Sequence, residues 1–218
     1  MIRALLVDAG GVLFNNINEE TSFVPDVARR YGVDESRLLG AVLSSAHAYE
    51  SGACHAHEVL RGLLEEAGSP FADASDGEWF DGQWVDRLYA THVRCYSSNV
   101  VELAEVARAR PELTLVLANN EAEHWDHLKD QRHGHYRLFD HLCSSWRVGQ
   151  VKPSAEYFAE TLERCGVDPR EALMIDDRTT VITVARDLGM RTLHVSSPEV
   201  LRNHLRETVE NLVPSARG

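Results

Sequence analysis

Three short apolar runs that each stop at a carboxylate or an amide constrain this chain more than any other feature. Ile2 to Val7 is nearly all apolar and closes at Asp8, followed by Ala9-Gly10-Gly11. Leu113 to Leu117 closes at Asn119-Asn120, and Ala172 to Ile175 closes at Asp176-Asp177. Apolar runs of this length bounded by turn chemistry read as strands buried on both faces. Helical stretches separate them, and such alternation argues for a parallel sheet with helices on both sides. Ligands of such sheets sit at the carboxyl ends of the strands. Asp8, Asn119 and Asp176-Asp177 therefore fall on the one edge where chemistry is expected.

The rest of the pattern fills in around these strands. A helix runs to Arg110 and stops at Pro111, and Glu121 to Asp130 is helical. Phe139 to Ser144 reads as a short strand, and a helix is expected from Pro153, suited to a first turn, to Gly166. Another helix ends at Gly189, Arg191 to Val195 is a strand, and Pro198 to Leu212 is the last helix. Residues 15 to 95 read as helical throughout. Val24 to Tyr31 ends at Gly32, Asp34 caps a helix to about His47, and His55 to Ala67 ends at Gly68. Ser69 to Gly77 has loop chemistry, and one more helix runs to about Cys95. The division expected is an α/β core from residues 1–14 and 96–218, with residues 15–95 inserted as an all-helical unit.

With 218 residues the chain is long enough for one core with a sizeable insertion. Its formal net charge of −12 disfavours nucleic acid and anionic membranes as partners. No apolar run approaches the roughly 18 residues that span a bilayer, and the first stops at Asp8, too short for a signal peptide. A cytoplasmic protein with reduced thiols at Cys54, Cys95, Cys143 and Cys165 is the expectation. Of 22 basic residues only Lys129 and Lys152 are lysines, so any step that needs a lysine has two candidates.

Four stretches in order carry a resemblance. They are Leu5-Leu6-Val7-Asp8-Ala9-Gly10-Gly11-Val12-Leu13, Leu115-Val116-Leu117-Ala118-Asn119, Gly149-Gln150-Val151-Lys152-Pro153, and Met174-Ile175-Asp176-Asp177 with Gly189 beyond. The chain resembles the haloacid dehalogenase-like hydrolases over residues 1 to about 195, and most closely their small phosphatases with a helical cap. The resemblance implies a three-layer, Rossmann-like α/β core under the cap, with Mg²⁺ as cofactor and a small phosphorylated metabolite as substrate. Asp8 would be the nucleophile. The metal would be held by Asp8, Asp177 and the Gly10 carbonyl, with Asp176 behind them. Lys152 would neutralise charge on phosphate and nucleophile. Asn119 and the backbone of the first loop at Gly11 would hold phosphoryl oxygens, with Asn120, His124 and Arg178 as further substrate contacts. A homodimer is left open.

Three departures from the family pattern bear on function. Gly10 stands where these phosphatases usually carry a second Asp for proton transfer, a role typically worth roughly 10²–10⁴-fold. Ala118 replaces the Ser or Thr before the Asn, and Val181 lies where Asn or Asp is common. A sugar-1-phosphate phosphatase-like branch also shows Gly at the second-Asp position, and an anomeric leaving group needs less protonation. A phosphatase for an activated phosphate is one expectation, and a catalytically impaired binding module is the other. Dehalogenating members put Tyr at the second-Asp position and lack the acidic pair. Phosphonate cleavage uses a cap lysine, and residues 15–95 contain none.

Weaker signals have plainer readings. Cys54-His55-Ala56-His57 reads as surface histidines, because no second ligand pair has structural-zinc spacing. His124, soon after Asn119, is expected to face the strand-end edge. His133-Gly134-His135 reads as loop. Arg178 reaches an anionic substrate or pairs with Asp176. Glu50, Trp79 and Trp84 are specificity candidates by location only.

Overall fold

The first strand, β1 (Ala4–Val7), is the middle of the sheet and is fully buried. Among the described residues six helices follow before α7: α1 (Ile17–Glu20), α2 (Phe23–Tyr31), α3 (Glu35–Ser44), α4 (Ala46–Glu50), α5 (Ala56–Glu66) and α6 (Gly82–His92). Next come α7 (Ser97–Ala109), β2 (Thr114–Leu117), α8 (Glu123–His133), β3 (His141–Leu142), α9 (Ser145–Val148) and α10 (Ala155–Cys165). The chain closes with β4 (Ala172–Asp176), α11 (Thr179–Asp187), β5 (Arg191–His194) and α12 (Pro198–Leu212). The structure is a computed structural model that describes residues 1–72 and 79–212. The Asp76-Gly77 turn expected from the sequence lies outside the described residues.

Among the described residues the sheet has five strands in the order β3-β2-β1-β4-β5, all parallel. The order reverses direction at β1, and this places the ligand crevice beyond its carboxyl end, at Asp8. Alternate residues of the central strands face opposite layers. Leu5, Val7, Leu115, Leu117, Leu173 and Ile175 pack with Leu103, Val106, Leu201 and Leu205 of α7 and α12. Ala4, Leu6, Val116 and Met174 pack with Tyr157, Phe158 and Leu162 of α10 and Val181 and Ala185 of α11. This is the three-layer α/β arrangement that the strand pattern predicts.

The helices between β1 and α7 bury a cluster of their own, and α8 contributes to it. Phe23, Val27, Leu38, Leu60, Leu64, Val85 and Tyr89 pack with Ala122 and Trp125. Trp125 stacks on Tyr89 with ring centroids 4.9 Å apart and meets Phe23 edge-on at 5.7 Å.

Several boundaries differ from the sequence expectation for identifiable reasons. The helix expected from Asp34 to about His47 is two helices. Asp34 does cap α3, accepting from the Arg37 N–H at 2.7 Å, but Ser44 bonds back to the Gly40 carbonyl and the chain breaks at Ser45. Pro153 does not begin α10. Ser154 is the cap, its hydroxyl accepting from the Tyr157 N–H at 3.2 Å. Of the strand expected over Phe139 to Ser144, only His141–Leu142 pairs, because Ser144 and Ser145 turn into α9. The helix expected from Glu121 begins at Glu123, and Gly134, at φ 61°, stops it. His133 therefore ends a helix, and His135 is buried in a 3₁₀ turn rather than in an open loop. All four cysteines are free, and no helix among the described residues is long and apolar enough to cross a membrane.

Removing Trp125 should show how far the inserted helices depend on α8. Trp125→Ala is expected to lower the unfolding free energy by about 3–5 kcal/mol, read by urea denaturation.

Candidate functional site

Asp8 follows β1 directly, and its backbone N–H donates to the Ile175 carbonyl at 2.9 Å. The carboxylate is buried and accepts from the Ala9 N–H at 2.8 Å. Asp176 ends β4 beside it. Lys152 reaches in from the loop before α10, with Nζ 3.1 Å from Asp8 Oδ1 and 2.6 Å from Asp176 Oδ2. The other oxygen of Asp176 accepts from the Arg178 N–H at 2.8 Å, so both its oxygens are engaged. Asp177 is held by the Asn16 amide, which donates to Oδ2 at 2.8 Å. Its Oδ1 is buried and has no hydrogen-bond partner among the described residues.

This charge balance is one-sided. Carboxylate oxygens of Asp8, Asp176 and Asp177 lie within 4.8 Å of one another, with one ammonium among them. Burial, then the Asp176 and Asp177 carboxylates, push the Asp8 carboxyl up to about 8 against the opposing pull of Lys152. Burial also raises the Asp177 carboxyl. Burial alone would lower the Lys152 ammonium, but Asp176 and Asp8 outweigh it and hold the proton firmly. An oxygen-only donor set with an orphaned carboxylate oxygen and surplus negative charge fits a hard divalent cation such as Mg²⁺.

Two glycines allow the loop to approach the acids. Gly11 sits at φ +65°, and a Cβ there would lie 2.2 Å from Asp177 Oδ2. A Cβ on Gly10 would lie 2.5 Å from Asn16 Oδ1, so the Asn16 amide fills the space where a side chain at position 10 would start. Sequence reasoning missed Asn16, because its role depends on a turn that folds it back over Gly10.

Asp8 opens into a cavity of about 390 Å³. Asp8, Gly10, Asn120, Lys152 and Arg178 line it, and Asn16, Tyr49, Glu50, Tyr89, Glu121 and Lys129 are among the other residues of its wall. Both lysines of the chain therefore face one space. Lys129, a second residue the sequence reading did not place, pairs with Glu121, which also accepts from the Tyr89 hydroxyl at 3.2 Å. Arg178 pairs with Glu19 at 3.1 Å rather than through its side chain with Asp176. Glu50, at the end of α4, is pushed up to about 7 by burial and then by Glu121.

Other expected contacts lie elsewhere. Asn120 is turned to the backbone of Lys152, accepting its N–H at 2.8 Å and donating to its carbonyl at 2.9 Å. Asn119 is buried behind the cavity wall, with Nδ2 a long 3.5 Å from Asp126. Asp126 is in turn fixed by Ser144 at 2.6 Å and Trp146 at 2.9 Å. His124 does not line the cavity; its ring is drawn to Asp86 of α6 at 2.8 Å. His57 is likewise no free surface histidine, because it bonds the same Asp86 oxygen.

The glycine pair can be tested through stability. Gly11→Ala would combine a left-handed backbone with a clash on Asp177, and should cost about 1–3 kcal/mol. Gly10→Ala meets only the end of a side chain that can swing away, and should cost less. Urea denaturation of the two variants reads the difference.

The chain matches the model described as haloacid dehalogenase-like hydrolase over residues 2–189. Among curated proteins it is 33% identical over 69 residues to bifunctional epoxide hydrolase 2 of Sus scrofa, a match covering 32% of this chain and 12% of that protein. It is 23% identical over its whole length to the drimenol cyclase drtB of Aspergillus calidoustus, of which it spans 38%. Among solved structures, a HAD family enzyme from Bacteroides thetaiotaomicron in complex with magnesium superposes with a TM-score of 0.68 at 23% identity, covering 88% of this chain and 92% of that one. A HAD phosphatase from Thermococcus onnurineus superposes at 0.61 and 22% identity, over 89% and 86% of the two chains. An L-2-haloacid dehalogenase from Xanthobacter autotrophicus does so at 0.61 and 20% identity, over 98% and 85%. The family match extends from β1 to the end of α11, taking in every strand end that carries an acid of the site, and the chain belongs to the haloacid dehalogenase-like hydrolases.

Proposed function

We propose that this protein is a Mg²⁺-dependent phosphatase that hydrolyses a small phosphorylated metabolite through an aspartyl phosphate on Asp8. In this reading residues 15–95 act as a cap over a core of residues 1–14 and 96–218. The observation that carries it is the buried set of Asp8, Asp176 and Asp177 around one lysine, with an oxygen of Asp177 unpaired. The magnesium complex and the phosphatase among the structural neighbours agree with it.

Asp8, Asp177 and the Gly10 carbonyl would hold Mg²⁺, which when bound neutralises phosphoryl oxygens and lets a carboxylate attack. Asp8 attacks phosphorus, and the bond to the leaving oxygen breaks. Lys152 holds the Asp8 carboxylate in line and offsets charge on the phosphoryl group. The Gly11 backbone meets the phosphoryl oxygens. Asn119 can join them only by releasing its long contact with Asp126. Asn120 fixes the backbone that carries Lys152, and Arg178 and Lys129 face the remainder of the substrate. Water then attacks phosphorus, the bond to Asp8 breaks, and phosphate leaves.

Gly10 cannot move a proton, and Glu50 is the group in the cavity suited to do so. A carboxyl poised near 7 is protonated in a useful fraction of molecules at neutral pH. It gives its proton to the leaving oxygen and takes one from water in the second step. Activated leaving groups, such as the anomeric oxygen of a sugar 1-phosphate, depend on it least.

Phosphate release from sugar, nucleotide, alkyl and acyl phosphates, with and without Mg²⁺, tests the reading. Release should require the metal and fall on the order of 10³-fold or more in Asp8→Asn. No release from any substrate by the folded protein would overturn it.

The Glu50 role has its own pH signature. With bound Mg²⁺ keeping Asp8 ionised, the acid form of Glu50 exists below about 7, so kcat/KM for an alkyl phosphate should fall as pH rises through that value. Glu50→Gln should abolish the fall and cost roughly 10²-fold with alkyl phosphates. Acyl phosphates should lose less than about tenfold.

A further inference from the structure

Outside the cavity, side chains from three helices converge on a single oxygen. His57 Nε2 of α5 and His124 Nε2 of α8 each stand 2.8 Å from Oδ1 of Asp86 in α6. The three ligand atoms lie within 4.8 Å of one another. The His57 and His124 rings have centroids 4.8 Å apart, and the His55 ring stands 5.0 and 5.1 Å from them. None of these residues lines the cavity of Asp8.

The arrangement differs from an ordinary charge pair. Two imidazoles seeking a carboxylate can divide between its oxygens, yet both rings here aim at one. Ligand atoms of a tetrahedral zinc site lie about 3.3 Å apart, given bonds of about 2.0–2.1 Å. The two N···O separations of 2.8 Å are about half an ångström short of that spacing. Room for the His57 ring is provided by Gly82, where a Cβ would stand 2.8 Å from Nδ1. The side chains of His57, Asp86 and His124 are 19%, 22% and 31% exposed, enough for an ion to enter with a water. Imidazole with one carboxylate favours zinc, cobalt or nickel over magnesium.

We propose that His57, Asp86 and His124 bind a divalent cation of the zinc class, with water as fourth ligand, and that this ion fastens the inserted helices to α8. Two ligands come from helices inserted between β1 and β2, and the third from the helix that follows β2. The same helix carries Trp125 and Lys129 into the wall of the cavity. An ion at this junction therefore restrains the opening of the inserted helices over the acids without touching them.

The test is a Co²⁺ titration of the full chain, free of any affinity tag, with excess Mg²⁺ present to fill the carboxylate site. One Co²⁺ per chain should bind with the visible absorption of a tetrahedral site, yield to Zn²⁺, and raise the melting temperature. Losing a supporting residue around a metal commonly costs 10–100-fold in affinity, so losing a ligand in Asp86→Asn or His124→Gln should cost on the order of 100-fold or more. Asp8→Asn should keep the spectrum. His57→Gln serves if either other variant fails to fold, and should likewise lose the metal-induced melting shift. Absence of a tetrahedral cobalt spectrum overturns the proposal. So does a spectrum that persists in Asp86→Asn or disappears in Asp8→Asn.

Discussion

The buried ammonium of Lys152, held between Asp8 and Asp176, is the interaction on which the site depends. It joins the ends of two neighbouring strands to a loop that comes from the far side of β2. Asn120 secures that loop by bonding both polar groups of the Lys152 backbone. A buried ion pair is a poor source of net stability, because desolvation offsets much of the attraction. Asp177 adds a third carboxylate beside one ammonium, and burial with this crowding raises the Asp8 carboxyl. The fold maintains an acidic pocket that protein groups alone leave incomplete, and the unpaired oxygen of Asp177 marks where the deficit is.

Helix α8 has a comparable place in the packing. It leaves the sheet edge just after Asn120, yet Trp125 is buried among the aromatic rings of the inserted helices. Asp126, on the neighbouring position, faces the opposite way and ties Ser144 and Trp146 to the helix. Burial would raise the Asp126 carboxyl, but the His135 ring 3.8 Å away and the hydrogen bonds from Ser144 and Trp146 outweigh it and hold it well below the usual carboxylate range. A single helix thus supplies a hydrophobic anchor for one unit and a fixed charge for the other. Glu121 and Lys129, about one turn before and after Trp125, pair in the cavity wall, where Glu121 also accepts from the Tyr89 hydroxyl of α6.

The strand ends were legible because a buried strand must be apolar, so a polar residue at its close is conspicuous. That logic reached Asp8, Asn119, Asp176 and Asp177, while the scarcity of lysine left two candidates, of which the family resemblance at Gly149–Pro153 pointed to Lys152. It did not reach Asn16 or the pairing of Lys129 with Glu121, since both arise from how the chain turns after a motif. The junction of His57, Asp86 and His124 was illegible for a stronger reason. Its members lie on three separate helices, and periodicity describes the face of one helix without saying which faces meet. His124 illustrates the limit. It lies on a helix as expected, although that helix begins only at Glu123, and its contact with Asp86 of α6, which sequence spacing cannot describe, determines where its ring points.

Position 10 shows what substitution of a single residue does to such a pocket. A carboxylate there would stand beside Asp8 and Asp177, adding negative charge to a space that already holds too much. With glycine, the neutral Asn16 amide moves in and donates to Asp177. The hydrogen bond opposes burial as the cause that raises the Asp177 carboxyl, and it fixes one oxygen while leaving the other open. Glycine here gives the loop no proton carrier, and the Asn16 amide holds Asp177 instead. On the proposed phosphatase reading, proton transfer would come from a wall of the cavity that does not belong to the sheet. The inserted helices provide that wall, so in this chain the choice of substrate and the movement of the proton would be governed by the same structural unit.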